Sequence, residues 1–150
     1  MRIQLVPRTA HADFLDLPWH VPLEEWESTR LVEVPRGIGR HVVRFVDYAG
    51  AYFALKELPP EIAAREYRLL RELDARGIAA VEAVGIVSDR ARRPEPLPDV
   101  LVTRYLDFSL PYRLAIAGRP TPEQLERLLD AFAQLLVRLH LSGFYWGDCS

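Results

Sequence analysis

Two charged residues have positions that invite chemistry. Lys56 sits in Ala54-Leu55-Lys56, inside a 52–58 run whose aromatic and branched residues suit a β-strand. Alternation puts Tyr52, Ala54 and Lys56 on one face, with Phe53 and Leu55 on the other. Alone, such a lysine is more often an exposed edge charge than a functional group. Glu66 changes the weighing. It falls in a predicted helix where the residues three and four positions away are Ile62, Ala63, Leu69 and Leu70, none of them a cation. It shares a side with Leu69, Leu70 and Leu73. Either it meets a positive partner from another element, or it lies at the margin of the apolar stripe and reaches water. Lys56, on the preceding strand, is the natural partner. Upstream, Pro35-Arg36-Gly37-Ile38-Gly39-Arg40 is a turn in which Gly37 and Gly39 allow backbone to approach phosphates closely. An ordinary hairpin turn is an equal alternative.

The elements that must position these residues follow from pattern and punctuation. Residues 1–30 are mixed and interrupted by Pro7, Pro18 and Pro22, which predicts an N-terminal extension packed on the domain. Strands are expected at 31–34, 41–46 and 52–58, with turns at 35–40 and at Asp47-Tyr48-Ala49-Gly50. Pro59-Pro60 opens a helix whose apolar side is Ile62, Leu69, Leu70 and Leu73, and Gly77 is its stop. Two more strands, 81–87 and 100–106, flank a polar, Pro-rich loop. After a linker at 107–120, Thr121, Pro122 and Gln124 form the start signature of a helix. Leu125, Leu128, Leu129, Phe132, Leu135, Leu136 and Leu139 give that helix a stripe broad enough to face a core, and Gly143 ends it.

Bulk properties exclude several classes. A hydrophobic fraction of 49% with 27% charged residues is that of a globular protein. The net charge of −2 speaks against a nucleic-acid surface, and Arg90, Arg92 and Arg93, beside Asp89 and Glu95, read as a solvated loop. No run approaches the roughly 18 apolar residues of a membrane span, and no signal peptide is expected. Cys149 is the only cysteine, so no internal disulfide can form, and a reducing, cytoplasmic compartment fits. His11, His20 and His41 lack metal-ligand spacing with Cys149, and His140 suits a helix end, so no protein-held metal is expected.

A glycine-bearing hairpin, an Ala-x-Lys strand and a helix with an inward Glu resemble the N-terminal lobe of protein kinases. That resemblance implies that Lys56 holds nucleotide phosphates and that Glu66 orients it. The segment 100–106 resembles the kinase strand entering the interlobe hinge, with a buried strand and loop as the plain alternative. On the kinase reading Thr103 borders the adenine pocket, backbone groups of Arg104 and Leu106 pair with the adenine edge, and Ala54 covers one face of the ring. The stretch 139–148 resembles the end of the kinase long helix and its catalytic loop, which makes Asp148 the group that accepts or orients the acceptor hydroxyl proton. The third glycine of the kinase loop is absent, and Trp146 stands where protein kinases commonly carry His. Gly147-Asp148-Cys149-Ser150 resembles the lipopolysaccharide (Kdo) kinase-like and atypical bacterial kinase branches more than eukaryotic protein kinases, and the wider sequence resembles an uncharacterised bacterial family with a kinase-like N-terminal region.

The expected fold class is therefore α+β. It comprises a five-stranded antiparallel kinase-like N-lobe with one helix over 31–106, then a hinge and the first helices of a C-lobe over 107–150, with nucleotide between the lobes. The chain reads as a fragment of a longer protein, stopping in the catalytic loop. The expected function is ATP-dependent transfer of a γ-phosphoryl group to a hydroxyl acceptor, with Mg2+ arriving on the nucleotide and its protein ligands downstream. The fragment alone is expected to be inactive. A pseudokinase serving as a nucleotide-sensing or protein-binding module is the alternative.

Overall fold

The computed structural model describes residues 1–7, 12–34, 41–91, 95–106 and 112–146, the side chains of 112 and 113 excepted. The chain divides into two compact units, Met1–Glu72 with Val81–Asp107, and Leu73–Ala80 with Phe108–Ser150.

The first unit is built on one antiparallel sheet. Its strands are β1 (Arg2–Leu5), β2 (Leu31–Val32), β3 (Val43–Tyr48), β4 (Ala51–Leu58), β5 (Ala83–Ser88) and β6 (Asp99–Arg104), in the order β1-β5-β6-β4-β3-β2. Five of these answer to the expected strands. The sixth, β1, comes from the expected N-terminal extension, where Arg2-Ile3-Gln4-Leu5 alternates over too few residues to announce a strand. Ile3 lies opposite Val87 and Leu5 opposite Gly85. Glycine is needed at 85, because a β-carbon there would stand 2.6 Å from the Gln4 carbonyl oxygen and 2.7 Å from Leu5 Cδ2. The β3–β4 hairpin turns through Ala49 and Gly50, whose φ angles of 55° and 82° give the primed turn that matches strand twist.

Different elements cover the two faces of this sheet. On one face lies α1 (Pro60–Ala75), with Ala63, Ala64, Tyr67 and Leu70 packed on Leu58, Ile86 and Leu101. The expected apolar side of α1 is corrected here. Ile62 and Leu69 are 43% and 41% exposed, because the small Ala63 and Ala64 turn toward the sheet and let the helix approach. On the other face Phe14, Leu17, Trp19, Leu23 and Trp26 are buried against Val46, Phe53, Leu55, Val87, Val100 and Val102. Residues 12–26 thus form the second layer of the unit. Two 3-10 turns, Phe14–Asp16 and Leu23–Glu25, shape this layer.

An ion pair is buried inside that layer. Arg90, expected in a solvated loop, is buried. Asp89 takes a left-handed φ of 50°, which turns the chain inward after β5. Arg90 Nη1 donates to Glu57 Oε1 at 2.6 Å and to the Pro98 carbonyl at 3.0 Å, while Nε donates to the Trp19 carbonyl at 3.0 Å. Nη2 donates to the Val21 carbonyl. Glu57 also accepts the Leu23 N–H at 3.0 Å. A fixed guanidinium fork suits such a cage of carbonyls where an ammonium would not.

Two carboxylates give the unit opposite responses to pH. Burial alone would raise the pKa of Asp16, but hydrogen bonds from Tyr48 and Arg30 and the Arg30 charge outweigh it and hold the group low. Its contribution is present at neutral pH and lost as pH falls through that depressed value. Asp99 is pushed up by burial first and by Asp89 second, against the pull of Arg2 and Arg90. Its favourable state is the protonated one, lost as pH rises through the raised value. Asp99→Asn is therefore expected to raise the melting temperature at neutral pH and to leave it unchanged or lower in acid. Melting curves at the two pH values check this, and a lower melting temperature at neutral pH would contradict it.

The second unit holds the end of α1, then α2 (Tyr112–Ala117) and α3 (Pro122–Leu141). α2 lies within the expected linker, where Leu114, Ala115 and Ala117 favour a helical turn. α3 begins as expected. Thr121 accepts the Gln124 N–H, and the Gln124 side chain accepts the Thr121 N–H. Both long helices end in the same way. Gly77 and Gly143 take φ of 65° and 83°, Ile78 N–H returns to the Leu73 carbonyl at 3.0 Å, and Phe144 N–H returns to the Leu139 carbonyl at 2.9 Å. The apolar contacts of these two caps merge, since Leu73, Ile78 and Leu139 form one cluster with Leu135 and Phe144. Arg76 ties them further, lying 4.9 Å over the Phe144 ring and donating to the Ser142 carbonyl at 2.5 Å. The stripe on α3 is not the core face that its spacing predicts. Leu139 is its one buried member among the described residues, and Leu129 is 61% exposed. Periodicity names the face that favours burial but does not supply its cover.

Candidate functional site

Lys56 emerges from an interior strand, opposite Val43 on β3 and Leu101 on β6. Leu58, two residues on and on the same face, is fully buried under α1. Lys56 therefore leaves the sheet at the flank of the helix, where the packed residues Ala63 and Leu70 give way to the exposed Ile62 and Leu69. Glu66 occupies that flank. Lys56 Nζ donates to both Glu66 carboxylate oxygens at 3.0 Å. The two side chains are 33% and 35% exposed, so Glu66 both finds its cation and stays in reach of water.

The magnitude of this contact bears on its purpose. A half-open pair contributes about 0.2–1 kcal/mol, too little to explain a lysine in the middle of a sheet as a stabilising device. An ammonium has three N–H donors, and two point at Glu66. What the arrangement offers is a positive group held in one place, with a donor remaining for an anion.

The other expected residues on this face are also gathered. Ala54 lies opposite Thr103 on β6 and opposite Phe45 on β3. Cross-strand partners share a face, so these small residues form a floor next to Lys56. Thr103 is half-buried, while Arg104 and Leu106 are exposed. The Arg104 N–H donates to the Glu82 carbonyl at 2.9 Å. That donor is taken, which narrows what the 104–106 backbone can offer a ring edge. Gly37, Gly39 and Asp148 lie outside the described residues.

Sequence reasoning missed an aromatic cluster on the same face. Tyr105 has its ring centroid 5.5 Å from Phe45 and 6.4 Å from Tyr52, and its N–H donates to the Tyr52 carbonyl at 2.9 Å. Strand alternation puts Tyr52 on the Lys56 face. Only the pairing of β3 and β6 with β4 brings Phe45 and Tyr105 to it. Next to the cluster a pocket opens between the end of β2 and the start of β3, lined by Val32, Glu33, Val34, Val43, Arg44 and Phe45.

Among the described residues no group of three or more His, Cys, Asp or Glu side chains could hold a metal ion. No helix among them is long and apolar enough to cross a membrane. Compared with known proteins, residues 21–144 match the model of one family, APH, described as a phosphotransferase enzyme family. No curated protein and no solved structure matches the chain.

Proposed function

Since the chain belongs to the phosphotransferase enzyme family, we propose that it binds ATP at Lys56 and that the protein transfers the γ-phosphoryl group to a hydroxyl acceptor. One observation carries this reading: an ammonium fixed at 3.0 Å from both oxygens of a carboxylate, on a sheet face where the small residues Ala54 and Thr103 lie beside it. In the reaction the acceptor oxygen bonds to the γ-phosphorus and the bond to the bridging oxygen breaks. ADP departs with the electron pair, and the hydroxyl proton goes to Asp148. Lys56 neutralises phosphate charge, Glu66 keeps it aimed, and Gly37 and Gly39 bring backbone N–H groups to the phosphates. Such transfer depends on positioning and charge compensation more than on covalent chemistry by the protein.

Mg2+ accompanies nucleotide polyphosphates, and its protein ligands are expected downstream of Asp148. The Gly-Asp-Cys-Ser segment at 147–150 favours the lipopolysaccharide (Kdo) kinase-like branch. The single cysteine favours a cytoplasmic setting.

Calorimetric titration with ATP tests the nucleotide site. Lys56→Ala removes a charge-assisted contact and is expected to weaken ATP binding roughly tenfold to a hundredfold, with the melting temperature nearly unchanged. ATP affinity within about threefold of the wild type would contradict the assignment.

A further inference from the structure

Lys56 and Glu57 are consecutive on β4 and leave the sheet on opposite faces. Each side chain ends in an ion pair. Lys56 meets Glu66 on the α1 side, half-exposed. Glu57 meets Arg90 on the side of the N-terminal layer, buried. This rear pair touches none of the reacting groups, yet it is the more enclosed of the two. Glu57 Oε1 accepts from Arg90 Nη1 at 2.6 Å and from the Leu23 N–H at 3.0 Å. The same Nη1 donates to the Pro98 carbonyl at 3.0 Å, immediately before β6, where Asp99 lies opposite Leu58. The guanidinium therefore joins the end of β4 to the start of β6.

Along the chain Glu57 stands between the two members of the front pair. Lys56 directly precedes it. Leu58, fully buried, follows it, and then come Pro59 and Pro60, whose rings fix φ. From Pro60 the helix α1 runs unbroken through Glu66. An ammonium rides on a flexible four-carbon stem, so its place depends on the backbone beneath it and on the carboxylate in front of it. A shift of β4 at Glu57 disturbs both.

Resting on the reading of Lys56 as a phosphate anchor, we propose that Glu57 and Arg90 are positioning residues for it: the buried clamp behind the sheet sets the backbone from which Lys56 and Glu66 both project. The clamp acts by reach and not by charge, because its two opposite charges largely cancel at the distance of the phosphates.

Calorimetric titration with ATP of two substitutions separates reach from charge. Glu57→Gln keeps the length and an oxygen that accepts from Arg90 and Leu23, and loses the charge. Glu57→Asp keeps the charge and is one methylene short. Both are expected to lower the urea midpoint. ATP affinity is expected to stay within about twofold of the wild type in Glu57→Gln and to fall roughly fivefold or more in Glu57→Asp, the scale of coupling within one network. Added to Lys56→Ala, Glu57→Asp is expected to cost less than about twofold more, since the group it positions is gone. Arg90→Lys keeps the charge pair but loses the fork, and takes the place of Glu57→Asp should that variant not fold. ATP affinity within about twofold of the wild type in Glu57→Asp, equal losses in Glu57→Asp and Glu57→Gln, or the same loss with and without Lys56 would overturn the proposal. Where Lys56→Ala binds too weakly to titrate further, the contrast between Glu57→Asp and Glu57→Gln decides. If Lys56→Ala weakens ATP binding in any of those cases, the phosphate anchor stands and only the clamp falls. If Lys56→Ala binds ATP as the wild type does, both readings fall.

Discussion

Arg90→Ala is expected to destabilise the first unit by about 3–5 kcal/mol, the cost of leaving one partner of a buried ion pair alone. Arg90 is fully buried as a side chain and Glu57 nearly so. Removing the guanidinium leaves the Glu57 carboxylate, among the described residues, with the Leu23 N–H as its remaining partner. It also takes a donor from the carbonyls of Trp19, Val21 and Pro98. These groups join the N-terminal layer to β4 and to the start of β6, so the loss spreads over both. Arg90→Lys keeps the charge but cannot fill the fork, and is expected to lie between wild type and alanine. Trp19 and Trp26 stand 5.0 Å apart, edge to face, inside that layer, and their fluorescence during urea unfolding reports the effect. A shift of the midpoint equivalent to less than about 1 kcal/mol, the range of an exposed pair, would contradict the buried role.

Arg90 also marks where sequence reasoning stops. Its neighbours Asp89, Arg92, Arg93 and Glu95 make the run look solvated, and nothing local says that one guanidinium turns inward. That depends on the left-handed Asp89 and on carbonyls about 70 residues away in sequence. Features written in local punctuation were legible. The Thr121 cap, the Gly77 and Gly143 stops and the turn at Ala49-Gly50 all depend on residues within a few positions of one another. The Lys56–Glu66 pairing was legible because Glu66 has no cation three or four positions away on its own helix, which made the lysine on the preceding strand its natural partner. The aromatic cluster was not, because Phe45 and Tyr105 reach Tyr52 only through strand register. The face of α1 was misjudged for a related reason. Leucine and isoleucine at 62 and 69 outweigh two alanines on any hydropathy count, yet the close approach of helix to sheet favours the alanines.

The second large effect concerns the exchange of charges in the double variant Lys56→Glu with Glu66→Lys. If the pair exists for stability, the exchange restores opposite charges at the same two positions and preserves whatever the pair contributes. If the pair exists to hold a cation at the sheet, the exchange moves the cation to the helix and puts a carboxylate where phosphates are to lie. Stability is then expected to stay within about 1 kcal/mol of the wild type, as befits a half-exposed pair. ATP affinity is expected to fall by more than the roughly tenfold-to-hundredfold loss of Lys56→Ala, because repulsion is added to the missing contact.

ATP titration of that double variant beside the wild type, with urea midpoints recorded on the same preparations, is the most direct measurement. Unchanged midpoints with ATP binding lost is the expected result. ATP binding retained near the wild-type level would contradict the assignment of Lys56 as the phosphate anchor.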